Sequence, residues 1–479
     1  MGEDDPAQPL QCPLPWGAWV GRGQRVEFRS ELPLFSPSSS LRRHRRSVSL
    51  FLIAALRGTA LGPSGKASMV RRRRLSRWTA PPVLLVTFGA LISLCCAARA
   101  SPSAQNLEAE KLLERLNKPA IKTIQSPDGD IIDCVQICHQ PAFDLLLLQN
   151  HTIQMSPSVY PEGPAKAVNG TRRIKQPWHS RGSCPVGTVP KRRTRTDDVL
   201  RASSADSFGK KNRAAVAPPR SAELVGAGNC HEHAIAFATG DTYYGAGATI
   251  NVWGPRVEAQ GEFSVSQIWV LGGSFGSDLN SIEAGWQVNP QLYGDRKTRI
   301  FTYWTSDDYR GTGCYNLLCS GFIQTNKDLA LGAVIDPLSS YGADQYDIDL
   351  LIWKDPKHGN WWVKLGSQLV GYWPASLFSY LATAASVIEW GGEVMNSKGG
   401  GRHTTTQMGS GGFPAAGFGR VSYFRNLRAV DKYNREWTPA VVPQATHPRC
   451  YDVSVGGAVD RIWGRFFYYG GPGRNPSCP

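Results

Sequence analysis

From about residue 224 onward, apolar and polar residues alternate in short runs. Twelve runs, at 233–239, 247–253, 262–271, 281–288, 299–305, 322–325, 333–336, 346–353, 360–365, 368–373, 384–390 and 419–427, are rich in β-branched and aromatic residues. Gly, Pro, Asn and Asp punctuate them, and this period-two pattern predicts strands. Only 375–381 has a weak helical character. Strands following one another without intervening helices predict a mainly β fold, a large antiparallel two-sheet β-sandwich over 223–479. The preceding region reads differently. Leu107, Leu112, Leu113 and Leu116 recur at helical spacing among charges, and strand-like pieces follow at 131–135 and 153–155. A smaller α+β unit is expected over 101–190.

Composition narrows the class. The chain has 479 residues, 41% hydrophobic and 19% charged, with 50 Gly and 33 Pro, which excludes a helical bundle, a coiled coil or a wholly disordered chain. A formal net charge of +15 suggests nucleic acid, but residues 223–479 hold 20 Lys and Arg against 22 Asp and Glu. The positive charge lies outside the sandwich, so no nucleic-acid partner is expected. Part of it is Arg71 to Arg74 and Arg77, which follow Met69 and precede an apolar run at 82–98 and the small-x-small triplet Ala98-Arg99-Ala100. This is the pattern of a secretory signal peptide at 69–100. The run is shorter than the roughly 20 residues of a bilayer-spanning helix, so no stable membrane anchor is expected. Residues 1–68 are then an upstream extension ahead of a more natural start.

Eight of the eleven cysteines follow residue 100. In an exported chain these suggest disulfides rather than thiolate metal sites. Proximity in the chain suggests Cys314 with Cys319, Cys450 with Cys478 and Cys134 with Cys184, and leaves Cys138 and Cys230 without an obvious partner. Sequons at Asn150 and Asn169 predict glycosylation. A basic linker is expected at 191–222, where Lys191-Arg192-Arg193, Lys210-Lys211 and Pro218-Pro219-Arg220 suggest an exposed, protease-sensitive connection.

No HExxH motif occurs. His231 and His233 alternate on one strand face but have no third metal ligand in sight, and no cofactor or metal is expected. Gly272-Gly-Ser274-Phe-Gly276 has the letters of a nucleophile elbow, but a strand rather than a helix follows it, so Ser274 reads as a loop residue. Carboxylates remain. Residues 281–288 place Glu283, Gly285 and Gln287 on one strand face, with Ile282, Ala284 and Trp286 on the other. Residues 387–395 place Glu389, Gly391 and Glu393 on one face unless the Gly-Gly pair bulges. Composition alone favours salt-bridged or solvent-facing glutamates here, although glycine beside them marks close approach by a ligand or another backbone.

The blocks around these glutamates resemble the neprosin family of plant glutamic peptidases. They are His231-Glu-His-Ala-Ile-Ala-Phe237, Ser281-Ile-Glu-Ala-Gly-Trp-Gln-Val-Asn-Pro290, Arg299-Ile-Phe-Thr-Tyr-Trp-Thr305, Thr312-Gly-Cys-Tyr-Asn316, Glu389-Trp-Gly-Gly-Glu-Val394 and Gly411-Gly-Phe413. Ile132-Asp-Cys-Val135, Gln140-Pro-Ala-Phe143 and Cys184-Pro-Val-Gly-Thr-Val-Pro190 resemble the family's activation peptide. The resemblance implies a secreted zymogen with a signal peptide, an inhibitory propeptide and a catalytic sandwich. Its implied activity is endopeptidase cleavage after proline at acidic pH by two glutamates. These map to Glu283 and Glu393, with Glu389 as competitor for the second. The implied partners are a proline-containing peptide or protein substrate and the chain's own propeptide, in a monomer located in the apoplast or the vacuole. The pairs Cys314–Cys319 and Cys450–Cys478 carry over too. Residues 1–68, the run Asp144-Leu-Leu-Leu-Leu-Gln149 and the cysteines at 138 and 230 depart from the family pattern. Two other classes fit the composition: a sandwich binding cell-wall polysaccharide through its aromatics, and a two-carboxylate glycoside hydrolase.

Overall fold

The computed structural model describes residues 102–163, 175–211, 230–398 and 401–479. The upstream extension at 1–68, the signal peptide at 69–100, the sequon at Asn169 and the linker from 212 to 222 lie outside the described residues. Among those described, no helix is long and apolar enough to cross a membrane.

The first unit begins with helix α1 (Pro102–Leu116). Leu112 and Leu116 are buried, while Leu107 is half exposed, as the helical spacing predicts. Strands β1 (Ala120–Gln125), β2 (Ile131–Gln136) and β3 (Thr188–Arg192) form a three-stranded antiparallel sheet. Its small core holds Ile124, Ile132 and Trp178 beside the Cys134–Cys184 disulfide. The piece at 153–155 is not a strand. Asn150 is exposed, as a glycosylation acceptor must be.

The basic stretch does not open into a linker where it is described. Lys191 and Arg192 are buried in β3, and helix α2 (Thr196–Leu200) follows. Neighbouring carboxylates account for this. Arg192 pairs with Asp130 at 2.9 Å and Asp198 at 3.1 Å, and Arg193 with Asp133 at 2.5 Å. Sequence spacing shows the positive charges but not the aspartates brought to them from β2 and its turn.

The second unit contains, in order, β4 (His231–Tyr243), β5 (Gly245–Asn251), β6 (Ser264–Gly272), β7 (Asn280–Val288), the short helix α3 (Pro290–Tyr293) and β8 (Arg299–Thr305). Then follow β9 (Cys314–Tyr315), β10 (Ile323–Gln324), β11 (Asp347–Lys354), β12 (Trp361–Leu365), β13 (Gln368–Trp373) and β14 (Ala385–Met395). The last strands are β15 (Ser422–Val430), β16 (Glu436–Trp437), β17 (Val442–Ala445), β18 (Asp452–Val455) and β19 (Phe467–Gly470). Seven make one antiparallel sheet in the order β17-β4-β14-β6-β7-β8-β9. The other sheet runs β10-β13-β12-β11-β5-β15-β19-β18, with β16 paired to β15.

The two sheets stack as a sandwich around a large apolar core. From the seven-stranded sheet, Trp286 donates its indole N–H to Asn251 O at 2.9 Å, and Trp390 donates to Gly247 O at 3.2 Å, both on β5 of the facing sheet. Each indole removes on the order of 200 Å² from water, about 5 kcal/mol of transfer free energy, and its polar atom is satisfied. Inner-facing Trp286 and Trp390 leave the glutamate-bearing face of the same sheet pointing outward.

Most strand expectations are met within a few residues. The stretch at 333–336 makes only isolated bridges, Val334 to Arg299 and Asp336 to Lys175. The weak helix at 375–381 is a single turn, Ala375–Leu377. The pairs Cys314–Cys319 and Cys450–Cys478 are bonded, and Cys230 carries a free thiol.

The first unit packs onto the second through buried amides. Gln140 and Gln324 exchange hydrogen bonds at 3.1 and 2.8 Å, and Gln176 and Ala330 do so at 2.8 Å each way. Arg299 of β8 reaches across to Asp130 at 2.6 Å.

Candidate active site

Antiparallel register aligns three rows of side chains across the outer face of the seven-stranded sheet. One row is His233, Glu393, Val265 and Gln287, and the next is Ile235, Gly391, Gln267, Gly285 and Phe301. The third is Phe237, Glu389, Trp269, Glu283 and Tyr303. Register runs unbroken through Gly391–Gly392, so the pair does not bulge, and Glu389, Gly391 and Glu393 share the face. Two glycines therefore flank Gln267, one from each neighbouring strand, and the trough they leave has Glu283 and Glu393 at opposite corners.

Both glycines are required by contact. A Cβ on Gly285 would lie 2.0 Å from Ser266 O, and one on Gly391 would lie 2.4 Å from Ala234 O with φ at +151°. Backbone cannot yield as a flexible side chain can. Gly285→Ala is expected to cost at least about 3 kcal/mol and to lower the thermal midpoint by about 6 °C or more, read by calorimetry. An unchanged midpoint would show that the strands separate freely here.

Glu283 is fully buried. Its Oε1 accepts hydrogen bonds from Ser281 Oγ at 2.9 Å and Tyr309 OH at 2.8 Å, and its Oε2 pairs with the Lys211 ammonium. Tyr309 reaches this position from a left-handed backbone conformation, φ 59°, shared with Asp308. Asp307 holds that strained turn by accepting the backbone N–H groups of Arg310, Gly311 and Thr312 at 2.9–3.1 Å. Glu393 is also buried. Its Oε1 bonds His231 Nδ1 at 2.5 Å and lies 3.9 Å from His233 Nε2, and its Oε2 accepts from Gln267 Nε2 at 3.1 Å. Glu389 is buried on the same face, but Trp269 separates it from Glu283.

Lys211 links the two corners from the propeptide side. Its backbone N–H donates to Tyr303 OH at 3.1 Å, and Tyr315 N donates to Gly209 O at 2.8 Å, so the segment ending at Lys211 is held against β8 and β9 by main-chain contacts. Its ammonium lies 5.0 Å from the Tyr303 ring centre, 5.7 Å from that of Tyr309 and 6.0 Å from that of Tyr315.

This charge sets the titration of the site. Burial alone would raise the Glu393 carboxyl. The Lys211 charge, the His231 hydrogen bond and the histidine charges outweigh burial and hold it well below the usual carboxylate range. Burial would lower Lys211, but Glu283 and then Glu393 keep its ammonium charged. The Lys211 ammonium contacts Glu283, and the charge of Glu393 adds to its stabilisation. Burial pushes His233 down to about 4, against the raising charge of Glu393. It pushes Tyr309 and Tyr315 well up, with Glu283 adding to the effect.

His231 and His233 thus face the Glu393 carboxylate, and among the described residues they join no three-ligand metal group. Ser274 lies in the β6–β7 loop, its N–H on Asp278 Oδ1 at 3.0 Å. Sequence reasoning missed Gln267, Tyr309 and Lys211. Gln267 was discoverable, since strand alternation puts it on one face with Val265 and Trp269. Tyr309 and Lys211 come from a loop and a distant segment, with no periodic signal.

Comparison with known proteins places this geometry. The profile described as Neprosin matches residues 260–472, and that described as Neprosin activation peptide matches 123–237. The chain belongs to the neprosin family, with the activation peptide ahead of the neprosin domain, the order of a zymogen. Among solved structures, it aligns with a Scytalido-glutamic peptidase bound to a peptide-based transition state analog, at 11% identity and a TM-score of 0.26, covering 51% of this chain and 98% of that one. SCP-B, an eqolisin-family peptidase in complex with a tripeptide, aligns at 10% identity and a TM-score of 0.24, covering 51% and 98%. CG-16, a homodimeric agglutinin from chicken liver, aligns at 12% identity and a TM-score of 0.19, covering 35% and 99%. Scores of this size do not separate a peptidase from a lectin.

Proposed function

We propose that this chain is a secreted, acid-active glutamic endopeptidase zymogen that cleaves peptide bonds, after proline, with Glu283 and Glu393 as its acid/base pair. The observation that carries this reading is the buried ammonium of Lys211 paired with Glu283, on a segment tied to β9 by Tyr315 N–H on Gly209 O and to Tyr303 OH by its own N–H, with Glu393 buried on the same sheet face. Removing Lys211 leaves two carboxyl groups in one dry trough, which cannot both ionise cheaply and hold one proton between them. His231 donating to Glu393 favours the anion there, so Glu393 takes the proton of an attacking water. Glu283 then carries the shared proton, donates to the developing oxyanion and protonates the leaving nitrogen. Gln267, between the two, orients the water or the scissile carbonyl. The slot walled by Tyr303, Tyr309 and Tyr315, filled by the Lys211 side chain in the zymogen, fits the flat apolar ring of proline. Beside it lies a cavity of about 280 Å³, closed in the zymogen by Phe208 of the propeptide; its other walls, Phe263, Leu292 and Met395, would face a neighbouring substrate residue after processing.

Acid loosening of the propeptide begins away from the carboxylates. Burial would raise Asp130, but Arg299 and then Arg192 hold it below its ordinary value, so its bridges survive mild acid. His151 behaves oppositely. Tyr372 OH accepts the Gln154 N–H at 3.0 Å and is 2.9 Å from His151 Nε2, to which it donates when the ring is neutral. Burial lowers the His151 pKa from 6.5. A base whose folded value is depressed stabilises the closed form above its unfolded value, and that stability fades as pH falls from 6.5 toward the folded value. His151→Gln is expected to move the onset of propeptide release at least half a pH unit lower, read by following processing on gels. An unmoved onset would place the trigger elsewhere.

The functional test uses protein processed in acid and a mixed peptide library, with cuts mapped by mass spectrometry. Cuts after proline are expected. Release of sugar from polysaccharide with intact peptides would favour the glycosidase reading. Polysaccharide capture without any cut would favour the binding module.

A further inference from the structure

We propose that Glu232, His403 and His447 form a binding site for a divalent cation of zinc type, on the reverse face of the strand that carries His231 and His233. Glu232 lies opposite Val394 in the register, while His233 lies opposite Glu393. Its carboxylate therefore points away from the trough, and the site is separate from Glu283 and Glu393.

Three elements converge there. His403 Nε2 lies 3.0 Å from Glu232 Oε1, and His447 Nδ1 lies 3.3 Å from Glu232 Oε2. One donor atom from each residue falls within 4.8 Å of the other two. Zinc bonds of about 2.0–2.1 Å in tetrahedral geometry place ligand atoms about 3.3 Å apart, close to the 3.0 and 3.3 Å separations of the two rings from the two Glu232 oxygens. Two imidazoles and one carboxylate leave a fourth position for water. Glu232 and His403 are nearly closed off, at 2% and 6% exposure. The His447 side chain is 37% exposed and gives a route in from solvent.

The ring of His403 is oriented as a metal ligand would be. His403 presents Nδ1 to Pro479 O at 3.4 Å and Nε2 to Glu232, so both ring nitrogens face oxygen. A neutral imidazole has one N–H. With it on Pro479 O, the Nε2 lone pair faces the Glu232 side and can take a metal ion; a doubly protonated ring would instead satisfy both oxygens without one. An oxygen acceptor on the second nitrogen, here Pro479 O, is the usual support of a metal-bound histidine. Glu232 Oε2 and His447 Nδ1 are buried and lie 3.3 Å apart as an ion pair.

The frame around the site is fixed. Asn396 Nδ2 donates to Glu232 Oε1 at 3.2 Å, and His403 N donates to Pro479 O at 2.9 Å. The Cys450–Cys478 disulfide ties the segment after His447 to the residue before Pro479. Its sulfurs also lie near His403, but as a disulfide they are not thiolate ligands. A cation here clamps β4 from behind and so steadies His231 and His233 on the trough side. It would bind near neutrality and leave in acid, as the imidazoles take up protons.

The test is a zinc titration of the full, EDTA-treated and dialysed chain at pH 7.5, by competition with a fluorescent chelator, beside His447→Gln, His403→Gln and His233→Gln. The expected result is one zinc per chain in the wild type and in His233→Gln, with affinity at least tenfold weaker in the other two. Zinc should raise the thermal midpoint of the wild type by several degrees and leave that of His447→Gln unmoved. Cobalt in place of zinc should give the strong visible bands of a four-coordinate ion, a reading that needs no variant. Absence of stoichiometric binding overturns the proposal. So does binding that survives in His447→Gln and is lost in His233→Gln, which would move the ion to the trough.

Discussion

Glu283→Gln and Glu393→Gln, each made alone, are expected to lower kcat of the processed enzyme by about a thousandfold, within the usual range for loss of a positioned proton donor or acceptor. Glutamine has the shape of glutamate but neither gives nor takes the proton. At 283 its carbonyl oxygen still accepts from Ser281 and Tyr309, and at 393 it still accepts from His231. Both variants should therefore fold, with thermal midpoints close to that of the parent once processed. The double variant should be no slower than about the worse single one, because the two carboxyls act as one unit. Glu389→Gln should retain most activity, since Trp269 stands between that side chain and Glu283. Steady-state kinetics on one proline-containing peptide decide this. Activity that survives Glu393→Gln and disappears with Glu389→Gln would keep the reaction and replace the residue.

Lys211→Met is expected to have the second-largest effect, and in the opposite direction. In the zymogen the ammonium is buried against Glu283 within a cage of three tyrosines. Removing one partner of a buried ion pair costs about 3–5 kcal/mol, because the remaining charge is left uncompensated. That corresponds to a hundredfold or greater loss of propeptide affinity. Methionine keeps the length and the packing against the rings, so the loss reports the charge. The separated variant propeptide should inhibit the mature domain at neutral pH at least a hundredfold more weakly than the parent propeptide. An equal inhibition constant would mean that the buried amide contacts at Gln140 and Gln176 carry the latency alone.

The same lysine explains why latency outlasts mild acid at the carboxylates themselves. While Lys211 is in place, Glu393 stays an anion far below the ordinary range, so it contributes stability above its usual pKa that is lost only in strong acid. In the proposed reading, the propeptide would block the trough by placing Lys211 against Glu283.

Much of this was legible in the strands. Alternation around Ile282, Ala284 and Trp286 separates an inner from an outer face, and the structure keeps that division, with Trp286 bonded to the facing sheet and Glu283 turned away. Strand 299–305 is found at its expected limits, because β-branched and aromatic residues fill it and a turn bounds each end. Shorter strands escaped notice. β9 and β16 are two residues each, too few for any period to register, and β17 contains Pro443, which only an edge strand tolerates. At the site, the glycines flanking Gln267 were visible one strand at a time, but the trough exists only once register sets them in one row. Lys211 was read as part of an open basic stretch because its partners lie on β7 and β14. Long-range pairing of charges leaves no local pattern, and Asp130 with Arg192 and Arg299 shows the same blindness.

The central claim is that Glu283 and Glu393 share one proton in the working enzyme. The pH dependence of kcat/KM for the processed wild type on a proline-containing peptide tests it most directly. The predicted profile is a bell in the acid range. Its low limb marks the second protonation of the pair, and its high limb marks loss of the shared proton, well before neutrality. A rate that climbs through neutral pH to a plateau would contradict a carboxyl dyad and point to a histidine base.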